Sequence, residues 1–356
     1  MKKNVTEILS HFVIDASAIP FGNGHINDTY LVESTPNYVL QRISKQVFPE
    51  PDKVMENIAL VLKHVKKKVV ENGGDLARET MELIYARDGK PYYMDEDGDY
   101  FRLYTYVDNT YACDQAETPE IFAESAHAFG KFQKMLADFP AEQLYEVIPK
   151  FHDTANRLLQ FEQALAKDSV GRAASVQEEI HFVKSHAHLV TLITDSLADG
   201  SVPLRVTHND TKLNNVLFDC DTNKAICVVD LDTVMPGSLL YDYGDALRFG
   251  ASTGPEDETD LSKIEFDLDY FRAFTKAYLE ELGSVLTPRE RELLPMSALL
   301  LTLECGMRFL ADYLNGDVYF RTHYDQHNLD RARTQFKLVS DMEKKMKQME
   351  AIVAEY

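Results

Sequence analysis

Apolar residues change their spacing along this chain in a way that divides it in two. Up to about residue 107, short alternating runs surround one helical stretch. Residues 18–32 (AIPFGNGHINDTYLV) place Gly22 and Gly24 in a turn and lead into a strand ending Tyr30-Leu31-Val32, and residues 37–43 (NYVLQRI) read as a second strand. Residues 52–70 instead space Val54, Ile58, Val61, Leu62 and Val65 on one helical face, with Asp52 placed to cap it. Residues 81–107 return to the strand pattern, predicting three strands joined through turns at Asp88-Gly89 and Asp97-Gly98.

From about 118 onward the spacing is helical over 119–138, 152–166, 175–198, 263–282, 288–314 and 328–355, interrupted by one β-rich island at 204–234. The last helix carries Phe336, Val339, Met342, Met346, Met349 and Val353 three or four apart, a stripe that packs on the body of the second part. The expected organisation is α+β: a small β-rich N-terminal lobe over 1–107 and a larger, mainly helical C-terminal lobe over 108–356.

Composition narrows the partners. The 356 residues carry 37 Lys plus Arg against 58 Asp plus Glu, a net charge of −21, which argues against nucleic acid, because phosphate binding needs a basic face. An acidic surface is compatible with a cationic substrate but more commonly reflects solubility. Cys113, Cys220, Cys227 and Cys305 form no CxxC pair and fit a reducing compartment. The first fifteen residues lack the apolar core of a secretion signal, and the longest apolar run, near 296–303, is short of a membrane span. The expectation is a cytoplasmic protein with no membrane partner.

The chemistry is concentrated in the island, PLRVTHNDTKLNNVLFDCDTNKAICVVDLDTVMPG. Two strands, 216–218 and 225–229, flank a turn at 221–224. A hairpin centred there sets positions summing to about 445 opposite one another, which pairs Asn215 with Asp230. Two oxygen donors at the open end of a hairpin, completed by phosphate and water, suit Mg²⁺. Upstream, His208, Asp210, Lys212 and Asn215 match the H-x-D-x-K-x-x-N catalytic loop of protein kinases. In that logic Asp210 accepts the proton of the attacking hydroxyl, Lys212 touches the transferred phosphoryl group, and Asn215 and Asp230 hold the metal. His208 braces the loop, Asp232 reaches a second metal or orients Asp230, and Asp242 supports the loop from below. Each residue alone would read as a surface turn; together, with Asp230-Leu-Asp232 following, they are specific. Gly22 and Gly24 can bring backbone amides over nucleotide phosphates, although a Gly-x-Gly alone is weak.

In this motif order the chain resembles the aminoglycoside phosphotransferase and choline kinase superfamily, whose fold is protein-kinase-like. The longer strings GNGHINDTYLV, FHDT, LRVTHNDTKLNNVLFD, VVDLDTVMPGSLLYDYGDALRFGAST and LECGMRFLADYLNGDVYF are similar to its branch acting on N-acetylhexosamines, over about 5–350. The resemblance implies transfer of the γ-phosphate of ATP, with Mg²⁺, to the anomeric hydroxyl of N-acetylglucosamine or N-acetylgalactosamine. It further implies that the sugar meets His25, Asp210, Phe249, Arg308 and Tyr319, and that adenine meets the backbone of Tyr104, Thr105, Tyr106 and Val107.

Simpler readings stand beside these. Arg308 is four residues from both Glu304 and Asp312 and can form helix-surface ion pairs; Phe249 and Tyr319 can be core aromatics; His323 and His327 are structural. Where protein kinases place a phosphate-binding lysine, the strand has Gln41 and Arg42, either of which can stand in for it, and Glu56 is the natural carboxylate partner. A choline, homoserine or aminoglycoside kinase, or an inactive kinase-like binding module, remain the alternatives, because fold does not fix substrate.

Overall fold

The computed structural model describes residues 5–22 and 26–356. The chain folds as two compact units, neither continuous in sequence. The first comprises 1–112, 135–149 and 215–236, the second 113–134, 150–214 and 237–356.

In the first unit an antiparallel sheet is built from β1 (Ser17–Pro20), β2 (Asp28–Glu33), β3 (Tyr38–Arg42), β4 (Leu83–Ile84), β5 (Tyr93–Met94) and β6 (Tyr100–Thr105). Its order is β1-β2-β3-β6-β4, with β5 also pairing with β6. The strands expected over 81–107 are present, and their turns close where the Asp-Gly pairs stand: Gly89 N–H donates to Ala86 O and Gly98 N–H to Asp95 O. Val32, Leu40, Phe101 and Leu103 meet Ile8 and Leu9 of the helix Val5–Ser10, and Phe12 just beyond it, in one apolar cluster.

The helix Pro51–Glu71 buries Val54, Ile58, Val61, Leu62 and Val65 as its spacing predicts. Two details differ. Glu50, not Asp52, is the N-cap residue; its side chain makes no capping bond, and Pro51 opens the first turn. Glu56 points to solvent while its neighbours Met55 and Asn57 are buried. A residue at 56 lies off the 54-58-61-65 face, so the apolar stripe itself excludes it.

The hairpin of the island also belongs to the first unit, with strands Val216–Asp219 and Ala225–Val228. Its register slips at a bulge between Ala225 and Cys227, so Leu217 faces Cys227 and Val216 faces Val228. Asn215 therefore stands opposite Val229, whose N–H donates to Asn215 O at 2.9 Å. Asp230 follows one residue later in a left-handed conformation (φ 59°). The expected direct pairing of Asn215 with Asp230 is thus displaced by one position.

The second unit is mostly helical and organised on Pro288–Asn315, against which His327–Ala354, Leu239–Gly250 and Thr154–Lys167 pack. Pro288–Asn315 is long and apolar enough to cross a membrane by length and composition, more so than its uninterrupted apolar run indicated. Its most apolar stretch is 89% buried within the protein. The final helix buries Phe336, Val339, Met342, Met349 and Val353 of its expected stripe, while Met346 is only half-buried.

The helix Leu239–Gly250 is absent from the expectations. Every residue from Leu239 to Arg248 is buried, and its polar stripe, Asp242, Asp245 and Arg248 three apart, faces the 208–211 loop rather than solvent. It crosses Pro288–Asn315 at Gly244, where an added Cβ would stand 2.5 Å from Ser297 O. The stretch read as one helix over 175–198 is divided into Gln177–Ser185 and Leu192–Ala198.

Candidate active site

The segment 207–212 is held from two sides within the second unit. His208 is fully buried, its ring edge-on to Phe129 and Phe132 at 5.6 and 6.0 Å. Asp242, near the start of the buried helix Leu239–Gly250, accepts the N–H groups of His208 (2.9 Å) and Asn209 (2.7 Å) and the side-chain amide of Gln133. Burial raises the Asp242 carboxyl from its ordinary value against the opposing pull of these donors. Three residues on, Asp245 accepts Thr211 N–H at 3.1 Å. Asn209 has a left-handed backbone (φ 65°).

A second brace comes from the FHDT string. His152 lies 3.2 Å from Asn209 O through Nε2 and 2.9 Å from Glu304 Oε1 through Nδ1. Thr154 donates to the other Glu304 oxygen at 2.8 Å. Burial alone would raise Glu304, but the charge of His152 and its hydrogen bond carry it below the usual carboxylate range.

On this scaffold Lys212 Nζ stands 2.9 Å from Asp210 Oδ1, with side chains 41% and 28% exposed. The Asp210 charge raises the Lys212 pKa, so the ammonium persists at neutral pH. Asp245, behind them, pairs with Arg248 at 3.1 Å. The two sequence-identified groups are thus in contact and accessible to a ligand, while their neighbours are fixed.

A cavity of about 490 Å³ opens in the second unit beside Leu213, next in sequence to Lys212. Phe249 and Arg248 stand on its wall, so Phe249 is a half-buried lining residue rather than a core aromatic. Arg308 and Tyr319 form a separate cluster. The Arg308 guanidinium lies over Phe151 and Phe320 at 5.5 and 5.4 Å. The helix-surface ion pairs open to it are not formed, because Glu304 serves His152 and Thr154 and Asp312 accepts the N–H groups of Val318, Tyr319 and Phe320. That Asp312 clamp holds Tyr319 69% exposed, edge-on to Phe320.

Within the first unit, the nucleotide-related residues fall differently from expectation. Gly22 has φ 77°, a conformation that favours glycine, and the adjacent Phe21 ring meets Tyr106 edge-on at 6.0 Å. Gly24 and His25 lie outside the described residues. Tyr104 is a paired strand residue with a buried ring, Tyr106 N–H donates to Asn37 O, and Val107 O accepts Thr110 Oγ1. Arg42 is turned to the surface, paired with Asp28 and Asp99.

Gln41 faces a cation that the sequence reading overlooked. Its Oε1 accepts from Arg102 Nε and Nη2 at 3.0 and 2.8 Å, while Arg102 Nη1 binds Asp232. The other Asp232 oxygen accepts Asn27 Nδ2 at 2.7 Å. Asp232 is therefore a buried anchor for Arg102, and Glu56, being exposed, is not the carboxylate partner. The only signal for Arg102 in the sequence is an arginine at an otherwise apolar strand position between Phe101 and Leu103.

Asn215 and Asp230 offer hard oxygen donors of the kind Mg²⁺ takes, Asn215 buried and Asp230 exposed. Among the described residues no three His, Cys, Asp or Glu side chains gather into a metal site. A cation held by these two would need phosphate and water for its remaining ligands.

A profile of the phosphotransferase enzyme family matches residues 17–283. Among solved structures, a microcompartment-associated aminopropanol kinase superposes with a TM-score of 0.62 at 15% identity, covering 97% of this chain and 98% of that one. A spectinomycin phosphotransferase bound to ADP and spectinomycin gives 0.58 at 14% identity, over 97% and 98%. The choline kinase of Cryptosporidium parvum gives 0.57 at 15% identity, over 96% and 92%. At such identities the likeness establishes the fold, which is kinase-like, with an antiparallel sheet in the N-terminal region and a helical C-terminal part.

Proposed function

We propose that this chain, which belongs to the phosphotransferase enzyme family, is an N-acetylhexosamine 1-kinase that moves the γ-phosphoryl group of ATP to the anomeric hydroxyl of N-acetylglucosamine or N-acetylgalactosamine. The observation that carries the catalytic part is the Asp210–Lys212 contact on a loop pinned by Asp242 and His152. The anomeric oxygen attacks the γ-phosphorus, its proton passes to Asp210, and the bond to the bridging oxygen of ADP breaks. Lys212, kept protonated beside Asp210, offers a positive charge to the moving phosphoryl group. Asn215 and Asp230 would hold Mg²⁺, which when bound offsets the charge of the phosphates. In this reading the first unit, 1–112 with 135–149 and the island hairpin in 215–236, binds nucleotide, and the second unit binds sugar.

The sugar assignment is supported by the closeness of the motif strings and by the Arg308 guanidinium and the exposed Tyr319 phenol, which suit a hydroxyl-rich ligand; Phe249 stands apart from them, on the cavity beside Leu213. A cationic acceptor, like the choline or aminopropanol named for the similar structures, would favour unpaired carboxylates. The acidic loop 254–260 offers few. Glu256 is paired with Arg248 and Arg331, Asp257 with His327, and Glu258 and Asp260 with Lys263.

The position of phosphorylation tests the reading. Phosphorylating the anomeric hydroxyl destroys the reducing end, so reducing sugar should disappear in step with ATP when N-acetylglucosamine is the acceptor. ATP loss with a constant reducing-end signal would refute the 1-kinase assignment. Turnover with choline or an aminoglycoside, and none with either N-acetylhexosamine, would refute the sugar assignment.

A further inference from the structure

Asn209, the residue before Asp210, is gripped at both ends. Its N–H donates to Asp242 at 2.7 Å, and its carbonyl oxygen faces His152 Nε2 at 3.2 Å. Between them the backbone is left-handed (φ 65°), a conformation uncommon for residues other than glycine. The two contacts act on different peptide planes. Asp242 fixes the plane before Asn209, whereas the carbonyl facing His152 belongs to the plane shared with Asp210, whose N–H donates to His208 Nδ1 at 3.3 Å. A peptide plane is rigid, so turning that carbonyl re-aims the Asp210 side chain.

His152 is itself fixed. Its buried ring packs against Phe151 and Tyr241, with centroids 4.5 and 5.4 Å apart, and sets Nδ1 2.9 Å from Glu304 Oε1. Thr154 holds the other Glu304 oxygen. An acceptor stands at each ring nitrogen, so the imidazole donates from both. The ring thus carries the fixed position of the helix Pro288–Asn315, through Glu304, to the peptide plane that orients Asp210.

We propose that His152 is a positioning residue for phosphoryl transfer: its Nε2–H, donated to the Asn209 carbonyl, aims the Asp210 carboxylate at the proton it accepts. The inference rests on Asp210 being the base and deepens that reading. His152 touches neither substrate nor the transferred group in this role, so its effect belongs in kcat rather than in binding.

Asparagine sets its amide near the place of Nδ1 and glutamine near that of Nε2, so two variants each keep one of the bonds. With ATP and N-acetylglucosamine, His152→Asn should lower kcat by about tenfold or more and leave both KM values within about twofold, the mark of a misaimed base. His152→Gln, which still donates to the Asn209 carbonyl, should keep kcat within about threefold of wild type. Stability should follow the opposite order. His152→Gln leaves the buried Glu304 carboxylate without its imidazole, so its Tm should fall below that of His152→Asn. In an Asp210→Asn background, His152→Asn should change kcat by less than about twofold, since the base it aims is gone. Full additivity in that background, a kcat that tracks Tm across the two variants, or an unaltered kcat in His152→Asn while Asp210→Asn collapses, overturns the role of His152 and leaves the base assignment intact. Should His152→Asn fail to fold, a loss of kcat of about tenfold in folded His152→Gln overturns it equally. An undiminished kcat in Asp210→Asn overturns the base assignment and this inference with it.

Discussion

Arg102 and Asp232 form an ion pair inside the first unit, with their side chains 1% and 5% exposed. Burial opposes the guanidinium charge, and Asp232 more than compensates, so the Arg102 pKa lies above its ordinary value. The pair joins β6 to the segment just after Asp230 and, through Asn27, to the start of β2. Because a buried charge is costly without its partner, Asp232→Asn should destabilise the protein by about 3–5 kcal/mol. Arg102→Met combined with Asp232→Asn should recover much of that loss. Urea unfolding of the two variants checks this, and a loss under about 1 kcal/mol in the single variant would contradict it.

Asp210→Asn should keep the fold and nucleotide affinity and reduce kcat by about 10²–10⁴-fold, the usual contribution of a positioned base. The loop is held by Asp242 and His152, so thermal unfolding should change little. Single-turnover kinetics with nucleotide binding measured alongside distinguish the two effects. A kcat within threefold of wild type would remove Asp210 from the base role.

The motif residues Asp210 and Lys212 were legible in the sequence because their spacing is local and short. Their support was only partly so. Asp242 was visible through its distance from the motif, but His152, over fifty residues upstream, is recognisable only once the fold sets its ring against Asn209 O. Arg102 shows the opposite difficulty. A charged residue in an apolar strand reads as an outlier, and its carboxylate partner lies 130 positions away. The hairpin register failed by one residue because a bulge leaves no mark in a simple count from the turn. Leu239–Gly250 carries a helical rhythm in Asp242, Asp245 and Arg248, but those residues read first as chemistry of the adjacent motif rather than as the polar stripe of a helix.

Acid should unfold the protein partly through the cluster of Asp245, Glu256 and Arg248. Burial pushes both carboxyls up, but the charge of Arg248, and for Glu256 also that of Arg331, overcomes it and carries both below their ordinary values. A depressed folded pKa gives stability that is present above the unfolded value and lost as pH falls through the folded one, here below about 4. Arg248→Met removes the charge that both carboxyls face, so its cost should be large at pH 7 and shrink as they protonate. Without Arg248, burial acts on Asp245 with less opposition and raises it, so the variant regains stability as that carboxyl protonates and the difference in Tm should narrow from pH 7 to pH 4. A constant difference would mean that Arg248 acts by packing alone.

The cluster around Arg308 makes the most direct statement about sugar recognition. Arg308 lies over Phe320, and Phe320 meets Tyr319, so a guanidinium and a phenol are presented by one short segment of chain. The segment is fixed because Asp312 accepts three successive backbone N–H groups at 2.9–3.0 Å, and neither Arg308 nor the exposed Tyr319 ring is needed to hold it. Arg308→Ala and Tyr319→Phe should therefore leave ATP affinity nearly unchanged and weaken use of N-acetylglucosamine. A hydrogen bond to a neutral ligand group contributes about 0.5–1.5 kcal/mol, so Tyr319→Phe should lower kcat/KM for the sugar by roughly 2–12-fold, and Arg308→Ala, which removes a charged donor, by more. Asp312→Ala separates recognition from support: releasing the segment should reproduce the sugar defect and lower Tm as well. If the Arg308 and Tyr319 variants lose ATP and sugar affinity in equal measure, these residues maintain the unit and do not read the acceptor.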